Sequence, residues 1–238
     1  MSNASKRLPD AFVAPVCTQQ IQILYEDPYL LVIDKPSGLL SLSGKNPLNW
    51  DSVHYRLVQD YPSVTLAHRL DFGTSGLMIL ALSKEVNAQL TKQFQARSIV
   101  KVYQAVLLGS LPDDEGVIDA PIAKAEFPYQ KVCTETGKPA QSHYRVVQRT
   151  ADSLSGVATT HVEFTPTTGR THQLRVHSLA IGHPIIGCDL YRSTIDGINS
   201  ESLAPRLMLH ASRVEFTHPV SEQRLQIVAP NLNLRYSV

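Results

Sequence analysis

Asp71 stands two residues after Arg69 in the run His68-Arg69-Leu70-Asp71-Phe72-Gly73-Thr74-Ser75-Gly76. The small residues around it favour a turn, and apolar segments at 64–67 and 77–82 flank that turn. A carboxylate at such a junction is displayed by a rigid scaffold, and the chemistry open to it is nucleophilic attack or proton transfer. The plainer alternative is a turn aspartate making only local hydrogen bonds. His68-Arg69-Leu70-Asp71 and Asp71-Phe72-Gly73 also imitate two protein-kinase signatures. One aspartate would then have to be both catalytic base and magnesium ligand, and no Gly-rich phosphate loop lies upstream. The kinase likeness is accidental.

The elements that must position this turn can be read from periodicity. Residues 21–25 and 30–33 read as short strands split by Glu26-Asp27-Pro28, and a helix fits residues 51–60 ahead of Pro62. After the apolar strand at 77–82, Ser83 is a plausible N-cap for the clearest helix, with Glu85 in its first turn and Val86, Leu90 and Phe94 recurring every four residues. Strands follow at 100–108, 142–148, 157–165, 207–216 and 224–228, with a helix over 171–181 stopped by Gly182. Strands outnumber helices without alternating regularly with them, so the expected fold is α+β on a mixed, largely antiparallel sheet. Residues 1–20 are expected to be a loosely held arm, residues 21–238 a single domain, and 193–205 an inserted loop.

Bulk composition narrows the class without deciding it. The chain has 238 residues, 43 % of them hydrophobic, and a formal net charge of +1. Charge is unevenly placed: residues 129–192 carry seven Lys or Arg against four acids, and Lys92, Arg97 and Lys101 form an acid-free run. A locally basic face on a near-neutral chain is compatible with a nucleic-acid partner. The three cysteines, Cys17, Cys133 and Cys188, are far apart and supply no Cys-x-x-Cys pair, as in a reduced cytosolic protein. No apolar run nears the ~18 residues that span a bilayer, and the N-terminus has no signal-peptide pattern. A cytoplasmic protein with no membrane contact is expected.

The run 68–76 resembles the catalytic motif of the RluA family of RNA pseudouridine synthases, and further segments match that family in order. They are Asp34-Lys35-Pro36-Ser37-Gly38-Leu39, then Lys101-Val102-Tyr103, then Thr168-Gly169-Arg170-Thr171-His172-Gln173-Leu174-Arg175-Val176-His177. Gly182-His183-Pro184-Ile185-Ile186-Gly187 and Leu207-Met208-Leu209-His210-Ala211 complete the set. The segment 131–141 is similar to the dual-specificity branch, which acts on tRNA and 23S rRNA. The S4-like domain that precedes the catalytic domain in several relatives is not expected here.

The resemblance implies a reaction and a set of roles. Pseudouridine formation breaks the N1–C1′ bond, turns the uracil and rejoins it through C5, so no cofactor is expected. Asp71 is implied as the catalytic carboxylate, adding to C1′ or C6 or taking the C2′ proton. Arg170 is implied as its ion-pair partner, since a guanidinium favours the ionised carboxylate. Tyr103 is implied to stack on the flipped uracil and handle the C5 proton, Arg69 to fill the space the base leaves, and Leu174 to pack against the uracil pocket. Lys101 and Arg175 are expected to contact RNA phosphates. His68 is expected to orient the turn.

His172, His177 and His183 are spaced five and six apart, which does not put two ligands on one helical face, and no cysteine or paired acid completes a set. No metal is expected, and structural or RNA-contacting roles fit these histidines better. The implied partner is RNA, a tRNA or 23S rRNA stem-loop or both, with no obligate protein partner. Two other functions compete: a non-catalytic RNA-binding or ribosome-assembly factor on the same scaffold, and an Asp/His hydrolase. The second lacks any Gly-x-Ser-x-Gly elbow.

Overall fold

The computed structural model describes residues 12–151 and 157–230. The chain opens with a hairpin of β1 (Gln22–Glu26) and β2 (Leu30–Lys35). The Asp27 carboxylate shapes its turn by accepting from the backbone N–H groups of Tyr29 and Leu30. α1 (Val53–Leu57) is capped by Ser52 and is shorter than the expected 51–60, because residues beyond it continue as turns ahead of Pro62. β3 (Thr65–Leu66) and β4 (Ser75–Ala81) flank the motif turn, and α2 (Lys84–Gln95) starts at the expected cap, with Ser83 accepting from Val86 N–H.

β5 (Val100–Leu108), β6 (Glu115–Asp119), β7 (Ile122–Lys124), β8 (Gln130–Val132), β9 (Gln141–Ala151) and β10 (Ala158–Pro166) follow, and then α3 (Gln173–Ala180). The segment expected as an inserted loop holds a small hairpin, β11 (Thr194–Ile195) and β12 (Ile198–Asn199), and a 3-10 turn at Ser200–Leu203. β13 (Leu209–Thr217) and β14 (Arg224–Val228) end the described chain. Of the arm expected over 1–20, residues 12–20 are tied down: Asn49 bonds Phe12 and Ala14, and Arg56 donates to the Cys17 and Gln19 carbonyls. Residues 1–11 lie outside the described part.

Ten strands form one sheet in the order β1-β2-β4-β13-β5-β10-β9-β6, with β3 on β4 and β14 on β13. All its pairs are antiparallel except β4–β13, which is parallel, so the sheet is mixed and largely antiparallel as the sequence implied. Two hydrophobic cores flank the join. One is built from β2, β4 and α2, the other from β5, β10 and α3, and Tyr103 packs against both. The parallel contact brings backbones close: a Cβ on Gly76 (φ 109°) would stand 2.3 Å from the Ala211 carbonyl oxygen. That is why glycine follows Ser75 in the motif. The turn bearing Asp71 therefore enters β4 at the seam between the two cores.

Candidate active site

Four successive backbone carbonyls hold the Asp71 turn in place. Leu70 O accepts from Ser41 Oγ (2.7 Å), Asp71 O from Thr74 N–H (3.1 Å), and Gly73 O from Ser37 Oγ (2.7 Å). Phe72 O accepts from Gly38 N–H (3.0 Å) and from Lys35 Nζ (3.2 Å). The Lys35 ammonium is fully buried and also donates to Pro36 O (2.9 Å) and Leu39 O (2.7 Å). Burial pushes its pKa down to about 7, opposed by Cys17, Asp71 and Asp34. An ammonium has three N–H donors, and all three are used here, which favours the charged form. The segment 34–39 is thus the clamp on the turn that carries Asp71. Below it, Ser75 Oγ lies 2.9 Å from His210 Nδ1 and accepts from Arg206 Nη1 (3.3 Å).

The arginine that faces Asp71 is Arg175, not Arg170. Arg175 Nη1 lies 4.0 Å from Asp71 Oδ2, and Arg175 is 4 % exposed while Asp71 is 28 % exposed. Its Nη2 donates to Asp189 (2.6 Å), its Nε to Cys188 Sγ (3.3 Å), and its guanidinium lies over the Tyr191 ring at 5.1 Å. Burial opposes this charge, but Cys188, Asp71 and Asp189 outweigh it and raise the Arg175 pKa. Arg170 instead donates from Nε to Pro139 O (3.0 Å). The reason is where the helix begins. α3 starts at Gln173, and His172 before it is left-handed (φ 56°). Arg170 therefore sits in the irregular lead-in, whereas Arg175 is in the first turn of the helix. Arg175, expected to contact RNA phosphates, lines the cleft but is 4 % exposed.

Tyr103 lies on β5 opposite Ala211 of β13. Burial, and then the charge on Asp71, raise its pKa, so the phenol stays protonated. A protonated ring suits stacking and hydrogen-bond donation rather than proton abstraction. Leu174 and Leu209 line the same cleft and are both nearly buried. His68 Nε2 accepts from Ile79 N–H (3.0 Å), and burial, with Lys101 adding, lowers its pKa to about 3. This neutral imidazole links the turn to β4. Lys101 is half-buried in the cleft wall, and burial lowers its pKa. His172 Nδ1 bonds the Tyr191 hydroxyl (2.8 Å), His177 bonds Ser142 and Ala120, and His183 bonds Leu108 O, so the three point into separate contacts.

These groups open into a cleft of about 1620 Å³, well above the roughly 300–1,000 Å³ of small-molecule pockets and of a size for a polymer segment. Lys45, Arg69, Arg97, Lys101, Lys124, Arg170 and Arg175 line it, and Asp71 is its only acid among the described residues. A chain with a net charge of +1 has thus collected positive charge around one carboxylate. Arg69 is exposed at the cleft and has no ion-pair partner among the described residues, so a structural salt bridge does not explain it. Sequence reasoning missed the site roles of Lys35, Cys188, Asp189 and Tyr191. The only signal for Lys35 was its place in a matched motif.

A model of the RNA pseudouridylate synthase family matches residues 29–180. The dual-specificity RNA pseudouridine synthase RluA of Yersinia pestis is 45 % identical over 199 residues, covering 83 % of this chain and 92 % of the relative. Its counterpart in Escherichia coli (strain K12) is 44 % identical over 210 residues, covering 87 % and 92 %. Among solved structures, human RNA pseudouridylate synthase domain containing 1 superposes with a TM-score of 0.73 at 27 % identity, covering 91 % of this chain and 86 % of that one. With the family model spanning the Asp71 turn, the Tyr103 strand and the Arg175 helix, and RluA-type relatives matching most of the chain, the protein belongs to the RNA pseudouridylate synthase family.

Proposed function

We propose that the protein isomerises uridine to pseudouridine in the tRNA anticodon stem-loop and in a similar 23S rRNA stem-loop, with Asp71 as catalytic carboxylate. The observation that carries this reading is one partly exposed acid, backed by a buried arginine, in a cleft whose other lysine and arginine lining residues are not matched by any second acid among the described residues. The reaction breaks N1–C1′ and forms C5–C1′. The proton leaves C5 and N1 ends as N–H, so atoms and electrons balance without an oxidant or a cofactor. Asp71 engages the ribose or the base, Arg175 sets a buried positive charge 4.0 Å from it, and Tyr103 and Leu174 bound the uracil. Arg69 occupies the stack position that the extruded base leaves, which offsets part of a few kcal/mol of unstacking. Such targets place the protein in the cytoplasm, and no helix among the described residues is long and apolar enough to cross a membrane.

Asp71→Asn tests the reading, because it keeps size and removes charge at a partly exposed position. The variant should bind an unmodified anticodon stem-loop and form no pseudouridine. Turnover within about tenfold of wild type would rule out Asp71 as the essential group. The assembly-factor alternative is tested by mapping pseudouridine in cells with and without the gene. The same map in both would favour that alternative.

A further inference from the structure

The hairpin β7–β8 forms one rim of the cleft, and its tip presents Phe127 with 77 % of its surface exposed. Other exposed apolar side chains occur on this chain, but Phe127 is an aromatic ring that lines the cleft. The hairpin is pinned: Ala125 N–H donates to Tyr129 O and Tyr129 N–H to Glu126 O across the tip. At its base Ile122 and Lys138 exchange backbone bonds, and Gln130 N–H donates to the Tyr191 hydroxyl (2.8 Å) beneath Arg175. The ring is therefore held out on a fixed support attached to the floor of the site. Lys124 lines the cleft on the same hairpin, and Lys131 follows on β8; neither has an ion-pair partner among the described residues.

We infer that Phe127 is a stacking platform for an unpaired base of the bound RNA, distinct from the target uridine. This rests on the RNA reading of the cleft. Exposed Glu126 adjoins Phe127 at the tip, but the cleft that Phe127 lines holds seven lysines and arginines against the single acid Asp71 among the described residues, and the apolar part of a polyanionic RNA is the face of its bases. Loop nucleotides beside an extruded uridine have such faces free. The platform would thus select RNAs whose loop delivers a base to the hairpin tip.

The test is a binding titration of wild type, Phe127→Ala and Phe127→Trp against an unmodified RNA stem-loop and a series lacking one loop base at a time. Phe127→Ala should weaken binding about 5- to 150-fold, the range for loss of one base–aromatic stack, and Phe127→Trp should restore it. The alanine penalty should vanish on the one RNA that lacks the stacked base. Equal affinities for wild type and Phe127→Ala, or the same penalty on every RNA of the series, would overturn the platform. Single-turnover assays separate this from the parent reading. A base-specific penalty in Phe127→Ala, with a wild type that makes no pseudouridine, would remove the catalytic reading and leave the platform standing. Normal turnover with no alanine effect on affinity would do the reverse.

Discussion

Replacing Lys35 by methionine tests whether the Asp71 turn is held through its carbonyl groups. In the variant Phe72 O keeps the Gly38 N–H, but no other donor among the described residues reaches Pro36 O or Leu39 O. Each orphaned buried carbonyl costs about 1–3 kcal/mol, or roughly 2–6 kcal/mol for the two. Removing an ammonium from a fully buried position offsets part of that, so a net loss of about 2–4 kcal/mol is expected. For a chain of this size each kcal/mol lowers Tm by about 2–4 °C, which gives a fall of roughly 4–16 °C. Turnover should fall further than stability alone would require, because Phe72 adjoins Asp71 and a misplacement of about 1 Å costs about 100-fold. Thermal melts and single-turnover conversion of a stem-loop at saturating enzyme measure both. A Lys35→Met variant melting within about 1 °C of wild type and turning over within about twofold would refute the clamp. A lowered Tm with unchanged turnover would mean that Lys35 braces the turn without aligning the carboxylate.

Arg175→Met should cut turnover about 100- to 1,000-fold, since a charge pair at 4.0 Å is worth about 4 kcal/mol at an effective dielectric of 20, whereas Arg170→Ala should chiefly weaken RNA binding. The opposite pattern in single-turnover kinetics would restore Arg170 as the partner of Asp71. RNA affinity should fall with salt at a log–log slope of about −3 to −5, from a handful of phosphate contacts by cleft residues such as Lys45, Arg97 and Lys124. A flat salt series would remove the basic cleft as the binding surface. Stability should fall on acidification, because His68 and His210 have folded pKa values lowered by burial to about 3 and about 4, below their ordinary 6.5. Unfolding therefore takes up protons between those values, and stability rises with pH across that window by at most about 1.4 kcal/mol per pH unit per histidine. Denaturant melts across the window check this, and His68→Gln should flatten the slope.

The strands that carry the site were legible because their patterns are local. β2, β4, β5 and β10 are runs of apolar or alternating residues, and β5 has the expected bounds. β6, β7 and β8 were not read, although β8 supports the hairpin rim. β7 and β8 have three residues each, and β6 is mostly exposed with two acids and a glycine. Such segments become strands through their partners: β6 through five paired residues of β9, β7 and β8 through each other.

The candidate site divides along the same line. Asp71, Tyr103 and the arginine motif stand out as residue types in order, but two arginines share one motif, and which of them faces the carboxylate depends on the helix starting at Gln173 after a left-handed His172. Nothing in residue type carries that phase. Lys35 shows the same limit from the other direction. A lysine is ordinarily a surface residue, and this one is buried because the fold brings three carbonyls from two loops to a single point. Arg175 in turn finds Cys188, Asp189 and Tyr191 more than ten residues away along the chain. The motif therefore names the segments that meet. The choice of atoms belongs to the backbone between them, and it is there that Lys35→Met and the Arg170/Arg175 pair of variants would detect an error.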